Sequence, residues 1–240
     1  MRHFCSAYFD KSTRESTQTI SEHIYEGINY LDEFNIRRRF DEYLVRLAGY
    51  LSLAISREEA RRALYASYIF HDLGKLHHKY QEEKTGFGGH EVISTYWVYR
   101  HGRELGLEKL LPSVVYAVYL HHHDLRKKKP EVVRNVNLCR ECIDFLISIY
   151  REKTGVDLLK YETKFKEDVY GKLIARLNQI IISDREYSYI RLSYPLLQAI
   201  HGADNFSASR RGGKQSPLSR EIEKVSNSIK ALRENFKLIH

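Results

Sequence analysis

Residues 56–75 read SREEARRALYASYIFHDLGK and combine a strong helix signal with a polar ending. Ser56 is a favourable N-cap, and the glutamates that follow it, Glu58 and Glu59, suit the positive end of a helix dipole. Apolar and small residues then recur at helical spacing, at Ala60, Ala63, Leu64, Ser67 and Tyr68. The stretch therefore predicts a core helix that ends on an adjacent histidine and aspartate, His71 and Asp72.

The rest of the chain repeats this helical pattern. Further helices are predicted over residues 21–34, 37–56, 90–103, 108–121, 131–151, 157–183, 193–207 and 219–238. The 240 residues include only four prolines and 13 glycines, too few for the frequent turns of a β-sandwich. A hydrophobic fraction of 42% excludes a wholly disordered chain. We therefore predict an all-α fold in which residues 1–240 form a single globular domain of about nine or ten helices.

Neither the apolar runs nor the cysteines indicate a membrane or an oxidising compartment. The longest apolar run, residues 113–120, is far shorter than the roughly 18–20 residues of a membrane span, and the N-terminus lacks the apolar core of a signal peptide. Cys139 and Cys142 form one CxxC motif, while Cys5 stands alone. A structural zinc site usually draws four ligands from two clusters, so we interpret the pair as two thiols on a helix face. Three cysteines cannot pair completely, which favours a reducing, cytoplasmic location.

Histidines and basic residues are the two unusual features of the composition. The chain has 12 histidines, and half of them lie in two short windows, residues 71–78 and 121–123. The net charge is +8, from 39 lysines and arginines against 31 acidic residues. One basic cluster follows the second window directly and consists of Arg126, Lys127, Lys128 and Lys129. Such a cluster binds phosphates without sequence preference, so these four residues are candidates for nucleic-acid binding.

The sequence HDLGK at residues 71–75 has the chemistry of a metal-dependent phosphate site. A neutral imidazole suits a transition-metal ion, and a carboxylate can bridge two such ions. A lysine beside a metal-bound phosphate neutralises the negative charge that develops during reaction. Asp72 and Lys75 are therefore the candidate catalytic residues.

These residues resemble a motif of the HD superfamily of metal-dependent phosphohydrolases, and further motifs of that family occur in its order. The matching residues are His23 in SEHI, His71-Asp72 with Lys75 in HDLGK, His90 in GGHE, His121-His122 after AVYL, and Asp204 in ADN. The adjacent histidines and the late ADN are most similar to one branch, the CRISPR-associated HD nuclease, which is the nuclease half of the type I nuclease-helicase. The sequence has no GxxxxGK[ST] phosphate loop, so the resemblance implies the nuclease alone.

The resemblance also implies a site for two divalent metal ions. The ligands of one ion would be His23, His71, Asp72 and Asp204. The ligands of the other would be Asp72, as the bridge, with His90, His121 and His122. This histidine-rich set favours Mn, Fe, Co or Ni over Mg. Because three histidines are consecutive where the family has two, the pair is either His121-His122, which aligns better, or His122-His123.

The predicted activity is hydrolysis of phosphodiester bonds in single-stranded DNA, with RNA as an alternative polymer, in CRISPR interference and antiviral defence. The resemblance implies two partners besides the nucleic acid, a separate CRISPR helicase and a crRNA-guided surveillance complex. Two other functions remain open. One is an HD phosphohydrolase of nucleotides or cyclic dinucleotides, and the other is a non-catalytic nucleic-acid-binding subunit. The sequence predicts no oligomeric state.

Overall fold

The computed structural model describes residues 5–84, 86–122, 133–183, 187–210 and 220, and most of them are helical. The helices are α1 (Ile20–Phe34), α2 (Phe40–Tyr50), α3 (Arg57–Ile69), α4 (His78–Glu83), α5 (His90–His101), α6 (Leu111–Leu120), α7 (Arg140–Thr154), α8 (Val169–Ser183) and α9 (Ser188–Arg210). Short 3-10 turns lie at Ile36–Arg38 and Leu73–Leu76, and the strands are β1 (Ser6–Phe9), β2 (Ser16–Thr19), β3 (Val136–Asn137) and β4 (Lys164–Phe165). The predicted all-α class is confirmed. Within these ranges no helix has the length and apolar character needed to cross a membrane.

Two helices that matter for the site begin with a reciprocal capping box. At the start of α3, the backbone N–H of Glu59 donates to the Ser56 hydroxyl, and the Glu59 carboxylate accepts from the backbone N–H of Ser56 at 2.7 Å. Thr19 and Glu22 exchange the same pair of bonds at the start of α1. Each box satisfies backbone donors that have no partner inside the helix. The caps therefore fix the starting points of the two helices that carry or precede the first candidate ligands.

Helix α3 lies in the core and packs against α1, α6, α7 and α9. Gly27 allows α1 to approach α3 closely, because a Cβ at this position would lie 1.8 Å from the hydroxyl oxygen of Tyr68. That hydroxyl donates to the backbone carbonyl of His23 at 2.9 Å. The contact between α1 and α3 thus brings the N-terminal half of α1 next to the His71-Asp72 pair.

An antiparallel hairpin formed by β1 and β2 precedes the first helix. The helical patterns of the sequence do not predict it, because each strand has only four residues. The hairpin packs against α1 and against the 3-10 turn at Leu73–Leu76. It therefore covers the segment that follows Asp72.

Two helices begin later than the sequence patterns predict. Helix α7 begins at Arg140 rather than at residue 131, and α8 begins at Val169 rather than at residue 157. In the described part of these segments, β3 pairs with β4, and both Val136 and Phe165 are buried. A buried two-strand ladder between distant segments therefore replaces the first turns of the predicted helices, and those predicted starts were wrong.

Candidate metal centre

Asp72 lies at the centre of the predicted site, immediately before the 3-10 turn that follows α3. Its side chain is only 2% exposed. The Oδ2 atom lies 3.3 Å from Nε2 of His23 and 3.5 Å from Nε2 of His71. The Oδ1 atom lies 3.0 Å from Nε2 of His90 and 3.7 Å from Nε2 of His121. One carboxylate oxygen therefore faces each of two sets of histidines.

Two groups of potential ligands share this carboxylate. Within each group, one potential ligand atom from every residue lies within 4.8 Å of the others. We call His23, His71, Asp72 and Asp204 the first group. We call Asp72, His90, His121 and His122 the second group. The structure thus brings together all seven residues named from the family resemblance, in the same two sets.

The first group depends on the packing of α1 and α9 beside the end of α3. His23 comes from α1 and Asp204 from α9. The Oδ1 atom of Asp204 lies 3.4 Å from Nε2 of His23 and 3.8 Å from Nε2 of His71. Both histidines are fully buried, whereas the side chain of Asp204 is 23% exposed. The first group therefore reaches solvent at Asp204.

The second group depends on α5 and α6, which pack against each other. His90 is the first residue of α5, and His121 and His122 directly follow α6. The Nε2 atoms of His90 and His122 lie 3.1 Å apart, and His122 is exposed. Gly74 permits the close approach of the HDLGK turn, since a Cβ there would lie 2.1 Å from the carbonyl oxygen of His90. A larger residue at position 74 would force the turn and the start of α5 apart.

Backbone contacts orient the histidine rings so that one nitrogen of each faces the centre. The Nδ1 atoms of His71, His90 and His121 lie 2.5, 2.6 and 2.5 Å from the carbonyl oxygens of Tyr68, Phe87 and Val118. A carbonyl oxygen can only accept a hydrogen bond, so these contacts favour a proton on Nδ1. The Nε2 lone pair is then directed at the centre, as in histidines that bind a metal.

Several buried atoms at the centre have no hydrogen-bond partner within the part of the chain that the structure describes. They are Nε2 of His23, Nε2 of His71, Nε2 of His121 and Oδ1 of Asp72. Such atoms are rare in proteins, because burying a polar group without a partner is costly. Imidazole nitrogens and carboxylate oxygens are donors that Mn, Fe, Co and Ni ions accept. The residues present therefore fit divalent metal ions.

Burial and charge set the protonation of these ligands. Burial lowers the pKa of His23, and it lowers the pKa of His121 to about 4. Burial opposes the ionisation of Asp72, but the charges of His71 and Lys75 hold the pKa of this carboxyl well below its usual range. At His71 burial is outweighed by the charges of Asp72 and Asp204, which raise the pKa of the imidazole. A proton therefore competes with a metal ion at a higher pH at His71 than at His121.

Lys75, the second candidate catalytic residue, is buried beside Asp72. Its Nζ atom lies 2.6 Å from Oδ2 of Asp72 and 4.2 Å from the ring centroid of Tyr8. The ammonium group compensates part of the negative charge of a carboxylate that has little contact with water. Lys75 thus acts on the site through Asp72 in this structure, and its contact with a phosphate stays a prediction.

Three further residues support the ligands, and the sequence patterns identified none of them. The hydroxyl of Ser207 lies 2.9 Å from Nδ1 of His23, and Nε2 of His201 lies 2.9 Å from the backbone oxygen of His121. The hydroxyl of Tyr8 donates to Oδ1 of Asp204 at 3.1 Å. Ser207 and His201 each lie three residues from Asp204, so the helical period around Asp204 could have indicated them. No helical spacing could have indicated Tyr8, because its strand lies 196 residues before Asp204 in the sequence.

The predicted nucleic-acid-binding cluster lies outside the described residues. It consists of Arg126, Lys127, Lys128 and Lys129. His123 lies outside them as well, so the structure does not test the alternative pair His122-His123. Both members of the preferred pair, His121 and His122, are in the second group.

The chain is similar to known proteins over most of its length. A family model described as HD domain matches residues 20–209. The CRISPR-associated endonuclease Cas3-HD of Pyrococcus furiosus is 26% identical over 231 residues, which cover 87% of this chain and 95% of that protein. The solved structure of a CRISPR-associated Cas3 HD domain protein from Methanocaldococcus jannaschii shares the fold, with a TM-score of 0.52 at 17% identity over 82% of this chain and 98% of that chain. The resemblance inferred from the order of the motifs is confirmed, and the chain belongs to the HD domain family.

Proposed function

We propose that this chain is a metal-dependent nuclease that hydrolyses phosphodiester bonds of single-stranded DNA in CRISPR interference. The observation that carries the proposal is the Asp72 carboxylate, which has one oxygen towards each ligand group. A shared carboxylate can hold two cations close to the same phosphate, as two-metal hydrolysis requires. The similarity to a Pyrococcus furiosus protein that is named an endonuclease supports the same reaction.

The proposed cofactors are two divalent ions, one in each group, of Mn, Fe, Ni, Co or Mg. When bound, such ions activate a water molecule and neutralise charge on the phosphate. The groups meet solvent at Asp204 and at His122. A phosphate of the substrate approaches the ions there, since the imidazoles of His23 and His71 are fully buried.

The side chains have separate tasks in this proposal. Asp72 is the shared ligand, and Lys75 compensates its charge at 2.6 Å. Arg126, Lys127, Lys128 and Lys129 bind the backbone of the nucleic acid by charge alone. A separate helicase supplies single-stranded DNA, and a crRNA-guided complex selects the target.

A cleavage assay over substrates and metals tests the proposal. The purified chain is stripped of metal and then incubated with labelled single- and double-stranded DNA, RNA, nucleotides and cyclic dinucleotides. Mn, Fe, Ni, Co and Mg are added in turn. We expect cleavage of single-stranded DNA that requires added metal.

Asp72→Asn should lower the rate by about 10³-fold or more, because both groups lose the shared ligand. Asp157→Asn, the same change at an exposed carboxylate, is the matched control.

Other results of the cleavage assay would support one of the two alternative functions. Turnover of nucleotides or cyclic dinucleotides without cleavage of any polymer would contradict the nuclease and support a small-molecule phosphohydrolase. Binding of nucleic acid without hydrolysis under any metal would support a non-catalytic subunit. Circular dichroism of Asp72→Asn should match that of the parent chain, which separates lost chemistry from lost folding.

A further inference from the structure

Three cysteines converge at the start of α7, outside the two ligand groups. Cys139 is the N-cap of α7, Cys142 lies in its first turn, and Cys5 immediately precedes β1. The three sulfurs all lie within 4.8 Å of one another, and all three residues are buried. This differs from the expectation that Cys5 stands apart from a thiol pair on a helix face. The hairpin of β1 and β2 returns Cys5 to α7 across 137 residues of sequence.

One disulfide accounts for only two of these sulfurs. Cys5 and Cys142 are paired in the structure, and the sulfur of Cys139 lies 2.7 Å from that of Cys142 without a bond to it. A tetrahedral zinc ion, in contrast, takes three cysteine sulfurs as ligands at once. Disulfides rarely persist in the reducing compartment that the cysteine usage of this chain favours.

The backbone around Cys139 holds its sulfur in position. The backbone N–H of Cys142 donates to the sulfur of Cys139 at 3.3 Å. Burial raises the pKa of this thiol in spite of that bond, so the sulfur loses its proton only when a metal ion binds. The backbone N–H of Cys139 donates to the carbonyl oxygen of Leu76 at 3.0 Å. Leu138 pairs with His77 in an isolated β-bridge. The segment that leads into the CxxC motif is therefore held against residues 76 and 77.

A histidine lines the cavity next to these cysteines. His78, the first residue of α4, lines a cavity of about 390 Å³ together with Cys5 and Cys139. Its side chain is exposed and is not one of the three that lie within 4.8 Å of one another, so binding at the sulfurs requires the imidazole to turn towards them. Three cysteines and one histidine form an established type of ligand set for structural zinc.

We propose that Cys5, Cys139, Cys142 and His78 bind one zinc ion, at a site separate from the first and second groups. The ion joins the N-terminal hairpin to α7. A hairpin of two short strands is marginally stable alone, and this one carries Tyr8, which contacts Asp204 and Lys75. The zinc site is therefore structural, and it fixes a strand that supports the metal centre.

Cobalt titration with competition by zinc tests this site without reference to cleavage. The Asp72→Asn chain, reduced and free of metal, is titrated with Co²⁺ while the near-ultraviolet absorption from sulfur-to-cobalt charge transfer is recorded. We expect this absorption to saturate at one equivalent and to vanish when one equivalent of zinc is added. His78→Ala should keep the absorption and lower the zinc affinity by about tenfold or more, since a nitrogen ligand is lost. Ser16→Ala, which changes another residue of the same cavity, is the control and should change neither quantity.

Two results would overturn the proposal. One is the absence of charge-transfer absorption in the reduced chain. The other is a Cys5–Cys142 disulfide that persists, by mass spectrometry after thiol alkylation, in protein purified under reducing conditions. Cys139→Ser should lose most of the absorption, but the titration of the Asp72→Asn chain decides the question even if that variant does not fold. Because cleavage is not measured, failure here leaves the nuclease proposal standing.

Discussion

The two ligand groups share Asp72 but differ in charge and in exposure. The first group has a second carboxylate, Asp204, whereas the second group completes its set with imidazoles alone. A divalent ion in the first group is therefore more fully neutralised than one in the second. The second group also contains the exposed His122, while the two histidines of the first group are fully buried. In the proposed two-metal site, an ion in the second group would therefore keep more positive charge towards a substrate phosphate.

Among the changes that separate the two groups, removal of one unshared ligand from each should have the largest effect. Asp204→Asn should remove the ion of the first group only, and His122→Ala should remove the ion of the second group only. Each variant should bind one equivalent of Mn²⁺ rather than two, measured as metal content after desalting. Each should also cleave single-stranded DNA about 10²-fold or more slowly, because two-metal hydrolysis needs both ions. Loss of both ions from either variant would show that the groups do not bind independently.

Acid should empty the first group before the second. A ligand imidazole must be neutral to bind a metal, and the raised pKa of His71 means that it takes up a proton at a higher pH. The pKa of His121 is about 4, so this ligand of the second group stays neutral throughout mild acid. Affinity in the first group should therefore fall by up to about tenfold per pH unit below the pKa of His71. Mn²⁺ titrations of His122→Ala and Asp204→Asn between pH 8 and pH 5, about the range in which histidines titrate, measure each group alone. Equal pH dependence in both variants would contradict this order.

Lys75 should affect the first group more than the second, because its ammonium contacts the Oδ2 atom of Asp72 that faces the first group. Lys75→Met should lower the cleavage rate by about tenfold at neutral pH and move the acid limb of the pH profile upwards. Burial and the charge of Lys75 both lower the pKa of His23, so the pKa of this first-group ligand rises without the ammonium. A direct contact between Lys75 and the phosphate predicts a different result. In that case the rate would fall at every pH, with no shift of the profile.

Tyr8→Phe gives the smallest effect and again separates the groups. The change removes only the hydroxyl that donates to Asp204 at 3.1 Å. Loss of an outer hydrogen bond to a metal ligand typically lowers affinity by roughly tenfold or somewhat more. The first group should show this loss in Mn²⁺ titration, and the second group should be unchanged. Tyr25→Phe, at an exposed tyrosine on α1, is the matched control.

Short-range sequence patterns predicted the segments around Asp72 better than the N-terminal hairpin and the starts of α7 and α8. The helix that ends at His71-Asp72 and the order of the other ligands followed from local spacing and from family motifs. The contacts of Tyr8 and the return of Cys5 depend on a short hairpin whose packing partners lie far away in the sequence. The late starts of α7 and α8 have the same cause, because Val136 and Phe165 pair across the segment between them. The hydrophobic period and the residue propensities of one segment do not reveal which distant segment it will pair with.

Anomalous diffraction at the manganese edge, from crystals grown with Mn²⁺, tests the shared carboxylate most directly. The account predicts two anomalous peaks about 3.5–4 Å apart, as in other two-metal sites. One peak should be bonded to Oδ2 of Asp72 together with His23, His71 and Asp204, and the other to Oδ1 together with His90, His121 and His122. A single peak, or two peaks of which only one contacts Asp72, would contradict it.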